Sequence, residues 1–450
     1  GGGGGGGPGP PARPVQRGGA SLSMYLSNLS RFSQTLTPIL LLAAAAAGPA
    51  GALPPELAPT QYVHDTWTTR DGLPLDMVAT LAFGPDGALW TATQEGIARY
   101  DGAVFTVLDR RSDPPIPTLR YQSIALASDG TLWAGGMQGL LRLRAGVCRT
   151  WSAKEGLPDD IVNAVAVDGD GLVWVGTNNG LACLAGDQLI RYGTADGLPS
   201  LMIYALHIDP HGYLWIGTGG GLARRDAGGF RVWRVADGLP HDTVRARTSG
   251  HDGSLWVGTL DGVGRLRAGR FRNWSVADGL PAATVVALVE DRDRTLWLGT
   301  EGAGLARLRD GRCESVRLGD RLDQSSVLNL LEGPEGDLWI GTFGDGLHRL
   351  NAGAFVTWSA AEGLDDDSVT AVLAASDGSV YAGGRGRRLN RWREGRIEQI
   401  DARRGLDSGF ISSLFEDRRG TLWIGTNHSL YRYDGDRATP VRLPTGEELE

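Results

Sequence analysis

Residues 277–312 read ADGLPAATVVALVEDRDRTLWLGTEGAGLARLRDGR. The run VVALVED has strand length and apolar content, and the polar DRDR after it, replaced by Asp-Gly in most other copies, supplies a tight turn that tolerates positive φ. LWLGT is the next strand. A second glycine-containing turn leads to GLARLR. A further pair, Asp310-Gly311, reverses the chain into a fourth strand of the kind spelled FRNWSV at residues 271–276.

The same unit recurs along the chain. Aligned on their Leu-Trp or equivalent pair, the copies place Trp90, Trp133, Trp174, Trp215, Trp256, Trp297, Trp339, Tyr381 and Trp423 in register at steps of 41 to 43 residues. A period near forty with four strand signals inside it predicts an all-β β-propeller of four-stranded antiparallel blades, with nine blade-length repeats. Gly176, Gly217, Gly258, Gly299, Gly341 and Gly425 stand at one repeat position. They mark close approach of another part of the chain.

One fourth strand is left over. HDTWTT, residues 64–69, matches that strand but no first three strands precede it. Such a strand closes a ring by completing a last blade, which removes a free sheet edge. Seven blades from Trp90 to Trp339 would then form a first propeller over residues 53–350. The strand beginning at Phe355 and the repeats at Tyr381 and Trp423 would begin a second, incomplete one over residues 351–450. The alternative is a single ring of eight or nine blades, with PVRL near Val441 competing for the closing place. Two blades cannot bury their own apolar faces, so we expect the chain to be part of a longer one.

Residues 1–23 form a Gly/Pro tract expected to be disordered and to lie upstream of the true start. From Met24, an Arg-containing polar stretch, the run PILLLAAAAAG and small residues at 50–52 read as a signal peptide over residues 24–52, so that the exported chain begins near Leu53. A net charge of −8 gives no footprint for nucleic acid. Three cysteines form no disulfide framework. Cys148 and Cys313 take the place of Phe105, Phe230, Phe271 and Phe355 in other copies, as small apolar substitutes.

The unit present at residues 71–105 as DGLPLDMVATLAFGPDGALWTATQEGIARYDGAVF resembles the two-component regulator propeller repeat, and the resemblance extends over residues 62–433. It implies paired periplasmic seven-bladed propellers followed by a β-sandwich, a transmembrane helix and a cytoplasmic histidine kinase or diguanylate cyclase. The expected function is therefore that of a periplasmic ligand-sensing ectodomain, cut before its output domain and touching the membrane only through a helix beyond this stretch. A homodimer of the receptor is part of the same expectation. The alternative is a stand-alone exported propeller that binds glycan or protein or, less readily, cleaves polysaccharide.

Blade topology puts the connection from second to third strand and the connection between blades on one face. The ligand-binding candidates on that face are Gln94, Glu95, Gln138, Asn178, Asn179, His241, Asp242, Phe343, Asp345, Arg385, Arg387 and Asn427. Met137, Asp261, Glu301 and His428 stand in the same loops, with Tyr121 and Asp160 on interblade connections. Amides, carboxylates and a few aromatics suit a polar small molecule or oligosaccharide, although any one of these residues taken alone reads more readily as a solvated loop residue. Tryptophans at fixed repeat positions are assigned to interblade packing. For catalysis, the DxxGxLW turn resembles the Asp-box of sialidase blades. The arginines of successive third strands, such as Arg99, Arg142 and Arg224, are too dispersed to converge, and the seven histidines are scattered. We expect no enzyme in this chain, no metal site and no cofactor.

Overall fold

In the computed structural model the 277–312 stretch becomes Val285–Glu290, Leu296–Thr300 and Leu305–Arg309, and Arg312–Val316 completes one antiparallel sheet in chain order. The structure describes residues 53–54, 57–117, 119–186, 188–226, 228–318, 321–353, 358–393, 396–406 and 409–442. The Gly/Pro tract, the stretch read as a signal peptide and Phe355 lie outside the described residues. Nine four-stranded sheets occur among the described residues, and we number them 1 to 9 along the chain. Their first strands are Thr80–Phe83, Tyr121–Leu126, Val162–Val167, Ile203–Ile208, Val244–Ser249, Val285–Glu290, Val327–Glu332, Val369–Ala374 and Ile411–Glu416.

Local chemistry explains the repeated words. In the first hairpin of sheet 3, Asp168 Oδ1 accepts the backbone N–H of Asp170 and Leu172 while Oδ2 accepts Trp174 Nε1–H at 3.0 Å. Asp209, Asp291 and Asp417 hold Trp215, Trp297 and Trp423 in the same way. The Asp-box-like turn is thus a clamp between hairpin and tryptophan. DGLP ends a 3-10 turn: Ser275 Oγ accepts Ala277 N–H, Asp278 reaches back to Ser275 N, and Gly279 takes φ 101°, which a side chain would resist. The leucine that follows is buried at Leu73, Leu157, Leu198, Leu239 and Leu280. Arginines of the third strand lie over the ring of the second, as Arg265 does over Trp256 at 4.9 Å, with its charge on Asp252 at 2.6 Å. They are spread over separate sheets.

Sheets join through the repeated glycine. A Cβ built on Gly176 would lie 2.5 Å from Ile203 Cγ2, and one on Gly299 would lie 2.6 Å from Val327 Cγ1. Each glycine receives the first residue of the next sheet's first strand, a β-branched residue with no exposed surface at Val162, Ile203, Val244, Val285 and Val327. Tyr121 stands at this position in sheet 2 and is fully buried, so it belongs to the core and not to a connecting loop. Gly425 differs: its nearest neighbour is Ser413 Oγ of its own sheet.

The first strands of sheets 1 to 7 lie side by side in chain order, and that of sheet 7 lies against that of sheet 1. Gly341 of sheet 7 receives Val78, just before sheet 1, and Val78 N–H donates to Thr342 O. The leftover strand runs from Val63 to Trp67 and pairs with Leu347–Asn351, making it the fourth strand of sheet 7. It stops two residues earlier than the 64–69 reading because Thr68 caps a 3-10 turn over Thr69–Asp71. Ala438–Pro440 is the fourth strand of its own sheet 9 and does not compete for that edge. Sheets 8 and 9 pack on each other as the earlier ones do. Sheet 8 nevertheless leaves Val369 38% and Val372 64% exposed, where the equivalent Val162 and Val165 are 0% and 6%. No helix among the described residues is long and apolar enough to cross a membrane.

Candidate functional site

The second residue of each first strand is where the sheets differ. Gln122, Asn163, Tyr204, Arg245, Val286 and Leu328 occupy it in sheets 2 to 7, and Ala79, just before Thr80–Phe83, stands at the equivalent repeat position in sheet 1. In sheets 2 to 7 the register with the second strand slips at this residue, a bulge that frees its side chain from the ladder. Four of the seven, Gln122, Asn163, Tyr204 and Arg245, are polar or aromatic, and three are aliphatic. Together they border a cavity of about 570 Å³ to which every one of the seven sheets contributes. That volume is in the range of small-molecule sites.

The wall is polar on several sides. Asn163 Nδ2 donates to Asn178 Oδ1 at 2.8 Å and to Ile203 O at 2.9 Å, so Asn178 supports the wall from the adjoining turn. Arg245 lies over the Tyr204 ring at 5.0 Å. Phe343, 61% exposed, and Glu301 reach the cavity from the turns of sheets 7 and 6. Deeper in, Arg247 borders the cavity from the fourth position of its strand. Its Nε–H has no acceptor, and it forms no ion pair among the described residues. Asn329 Oδ1, on the same wall, is likewise buried without a donor. Burial pushes the Arg247 guanidinium down to about 10, so it stays charged at neutral pH.

His207 sits beside this group. Its Nε2 lies 2.6 Å from Ser249 Oγ across the interface of sheets 4 and 5. Burial first, then the Arg247 charge, push its pKa down to about 4 against a weaker opposing pull from Asp209. A histidine kept neutral in the fold but free to protonate when unfolded from its ordinary 6.5 stabilises the fold above that pH. The contribution, on the order of 3 kcal/mol, should drain away as pH falls from 6.5 toward 4. His207→Gln is expected to flatten that part of the stability profile, measured by urea unfolding at half-unit pH steps. An unchanged slope would show that other groups carry it.

The sequence-derived candidates divide by this geometry. Phe343 lines the cavity and Asn178 buttresses it. Gln94, Glu95, Gln138, Asn179 and Asn427 sit in turns between second and third strands; Thr93, Thr177 and Thr426 close the turns of Gln94 and Glu95, Asn179 and Asn427, whereas Gly136 stands in that place before Gln138. Asn179 Nδ2 bonds Pro158 O, and Asn427 Oδ1 accepts Phe410 N–H. His241 Nδ1 accepts Thr243 N–H, and Asp242 Oδ1 accepts Val235 N–H, as Asp160 does for Ala153 N–H. Asp345 bonds Ser325 Oγ. These bonds tie the side chains to the local frame. Arg385 and Arg387 are exposed on sheet 8 and do not border the cavity. The bulge residues and Arg247 escaped sequence reading because they lie inside strands, although the variable second letter of VNAV, IYAL and VRAR was visible.

The three cysteines are free, and burial pushes the Cys313 thiol up to about 11. No group of metal-binding side chains occurs among the described residues.

The model of the two component regulator propeller matches residues 156–179, 197–220, 279–302, 321–344 and 405–428. Among curated proteins none matches the chain. Solved structures do. The extracellular domain of the putative hybrid two component system BT3049 from B. thetaiotaomicron is 21% identical, with a TM-score of 0.71 over 86% of this chain and 56% of that one. The extracellular domain of the putative one component system BT4673 from the same organism is 20% identical, with a TM-score of 0.54 over 86% and 54%. Virginiamycin B lyase from Staphylococcus aureus is 16% identical, with a TM-score of 0.53 over 64% and 98%. At these identities the likeness is one of fold. The chain spans about half the length of the first two. The chain thus carries five matches to the two component regulator propeller repeat within its nine four-stranded sheets.

Proposed function

We propose that this chain is the ligand-sensing propeller region of an exported signalling receptor. The observation that carries the reading is the cavity, bordered by residues from seven sheets at the positions where the repeat is most varied. The repeat family and the extracellular sensor domains of similar fold support it. In this reading residues 53–350 are a seven-bladed ring closed by Val63–Trp67, and residues 351–450 open a second ring. The return of sheet 7 to sheet 1 supports that division, as does the exposed Val369 and Val372 face of sheet 8, which matches the side that packs on a preceding blade in other sheets.

The ligand is a polar small molecule entering past Phe343, with Asn178 holding the wall. No catalytic step is assigned to the chain. A ligand that binds one arrangement of a receptor dimer better than another shifts the population toward it, which is all that signalling requires of this module. The alternative is a stand-alone exported binder with the same cavity. Reading the gene beyond the codon for Glu450 separates the two. The frame is expected to continue through further blades into an apolar segment of roughly twenty residues and an output domain. A stop codon at that point would overturn the receptor reading.

A further inference from the structure

Arg247 breaks a rule that its own repeat obeys. The equivalent residues in the other six sheets of the circuit are Leu81, Ile124, Val165, Leu206, Leu288 and Leu330, each at most 8% exposed. The position faces the preceding sheet, as Val165 does toward Gly135 and Leu206 toward Gly176. Packing there requires an aliphatic side chain. A guanidinium in its place removes apolar contact and puts a charge in a half-buried position with a buried Nε–H, which is destabilising unless an opposite charge meets it. Within the described residues none does: Arg247 forms no ion pair, and its Nε–H has no acceptor. Arg245, two residues earlier, adds a second positive charge to the same cavity, and Glu301 is the carboxylate on its lining.

We propose that Arg247 is the anchor for the anionic group of a hydroxylated monocarboxylic acid bound in this cavity. The proposal rests on the reading of the cavity as a ligand site and adds the ligand's chemistry. A carboxylate meets the fork of Arg247 in a geometry that an ammonium could not offer. Arg245 and Glu301 carry opposite charges on the same lining, so with Arg247 the cavity has one net positive charge and suits a single negative one. Gln122, Asn163 and Asn329 supply amide donors and acceptors suited to hydroxyl groups, and Asn329 Oδ1 has no other donor. The Tyr204 ring, backed by Arg245, gives a flat apolar face for the carbon skeleton.

The test is isothermal titration of the full chain with D-glucuronate, D-glucose and inorganic phosphate, on the wild type and on Arg247→Leu, which restores the residue type of the repeat. Glucuronate is expected to bind the wild type at least about tenfold more tightly than glucose or phosphate, and to lose at least about tenfold in the variant. In the absence of ligand, Arg247→Leu should melt at a higher temperature than the wild type, because it replaces an unpaired charge by the packing residue. Equal glucuronate binding by both proteins, no glucuronate binding by the wild type, or a lower melting temperature for the variant would overturn the proposal. Phosphate bound as tightly as glucuronate would overturn the hydroxylated-acid assignment. Glucose bound by the wild type as tightly as glucuronate would also overturn it while leaving the cavity a ligand site, and the receptor reading stands or falls separately on the reading frame.

Discussion

Gly299→Val is expected to destabilise the protein by at least about 3 kcal/mol, with much of it recovered insoluble. The first atom of the new side chain would already lie 2.6 Å from Val327 Cγ1, 2.8 Å from Val327 O and 2.9 Å from Ala287 Cβ. One of those atoms is backbone of the next sheet and another belongs to the same sheet's first strand. Neither can rotate away, so sheets 6 and 7 would have to part. Gly425 provides the control. It occupies the same repeat position, but the atom in the way is Ser413 Oγ, the end of a small side chain that can turn aside. Gly425→Ala should therefore cost less than about 1 kcal/mol. Urea unfolding of the three proteins checks both statements. Equal losses at the two positions would mean that the glycine serves its own strand and not the interface.

Trp67→Ala is expected to cost about 3 kcal/mol and to loosen sheets 7 and 1 before the rest. Trp67 ends the one strand that the N-terminal segment contributes to sheet 7. Its ring stacks on Trp339 with centroids 5.3 Å apart and meets Tyr100 of sheet 1 at the same distance. Arg349 lies over it at 5.6 Å while bonding Asp65 at 2.6 Å. Removing the ring uncovers the cluster that joins the two ends of the circuit. Amide exchange should accelerate in residues 80–108 and 327–351 while residues 162–233 keep their protection. Uniform acceleration across all seven sheets would argue that the strand supports the whole molecule equally and does not act as a local latch.

Much of this was legible without coordinates because each repeat carries its own instructions. The Asp turn, the DGLP cap with its left-handed glycine, the second-strand glycine and the Trp position are local signals, repeated until chance is excluded. The unpaired HDTWTT strand was expected to close a ring, on the sheet almost 300 residues away if that ring held seven blades and elsewhere if it held eight or nine, and Val63–Trp67 pairs with Leu347–Asn351. Loop residues were harder to judge. Asp242 and Asp160 looked like exposed recognition groups, yet each holds a backbone N–H seven residues earlier in the chain. Tyr121 looked like a loop aromatic and fills a core position.

By itself the sequence determined the repeat unit, its four strands, its turns and the faces on which its loops emerge, because these depend on contacts within about forty residues. Only the tertiary structure decided which side chains share a space. Gln122, Asn163, Tyr204 and Arg245 are one repeat apart in the chain and border one cavity only because sheets 1 to 7 return on themselves. The isolation of Arg247 is of the same kind: whether a charge has a partner depends on every chain segment that packs around it, and no single repeat contains that information.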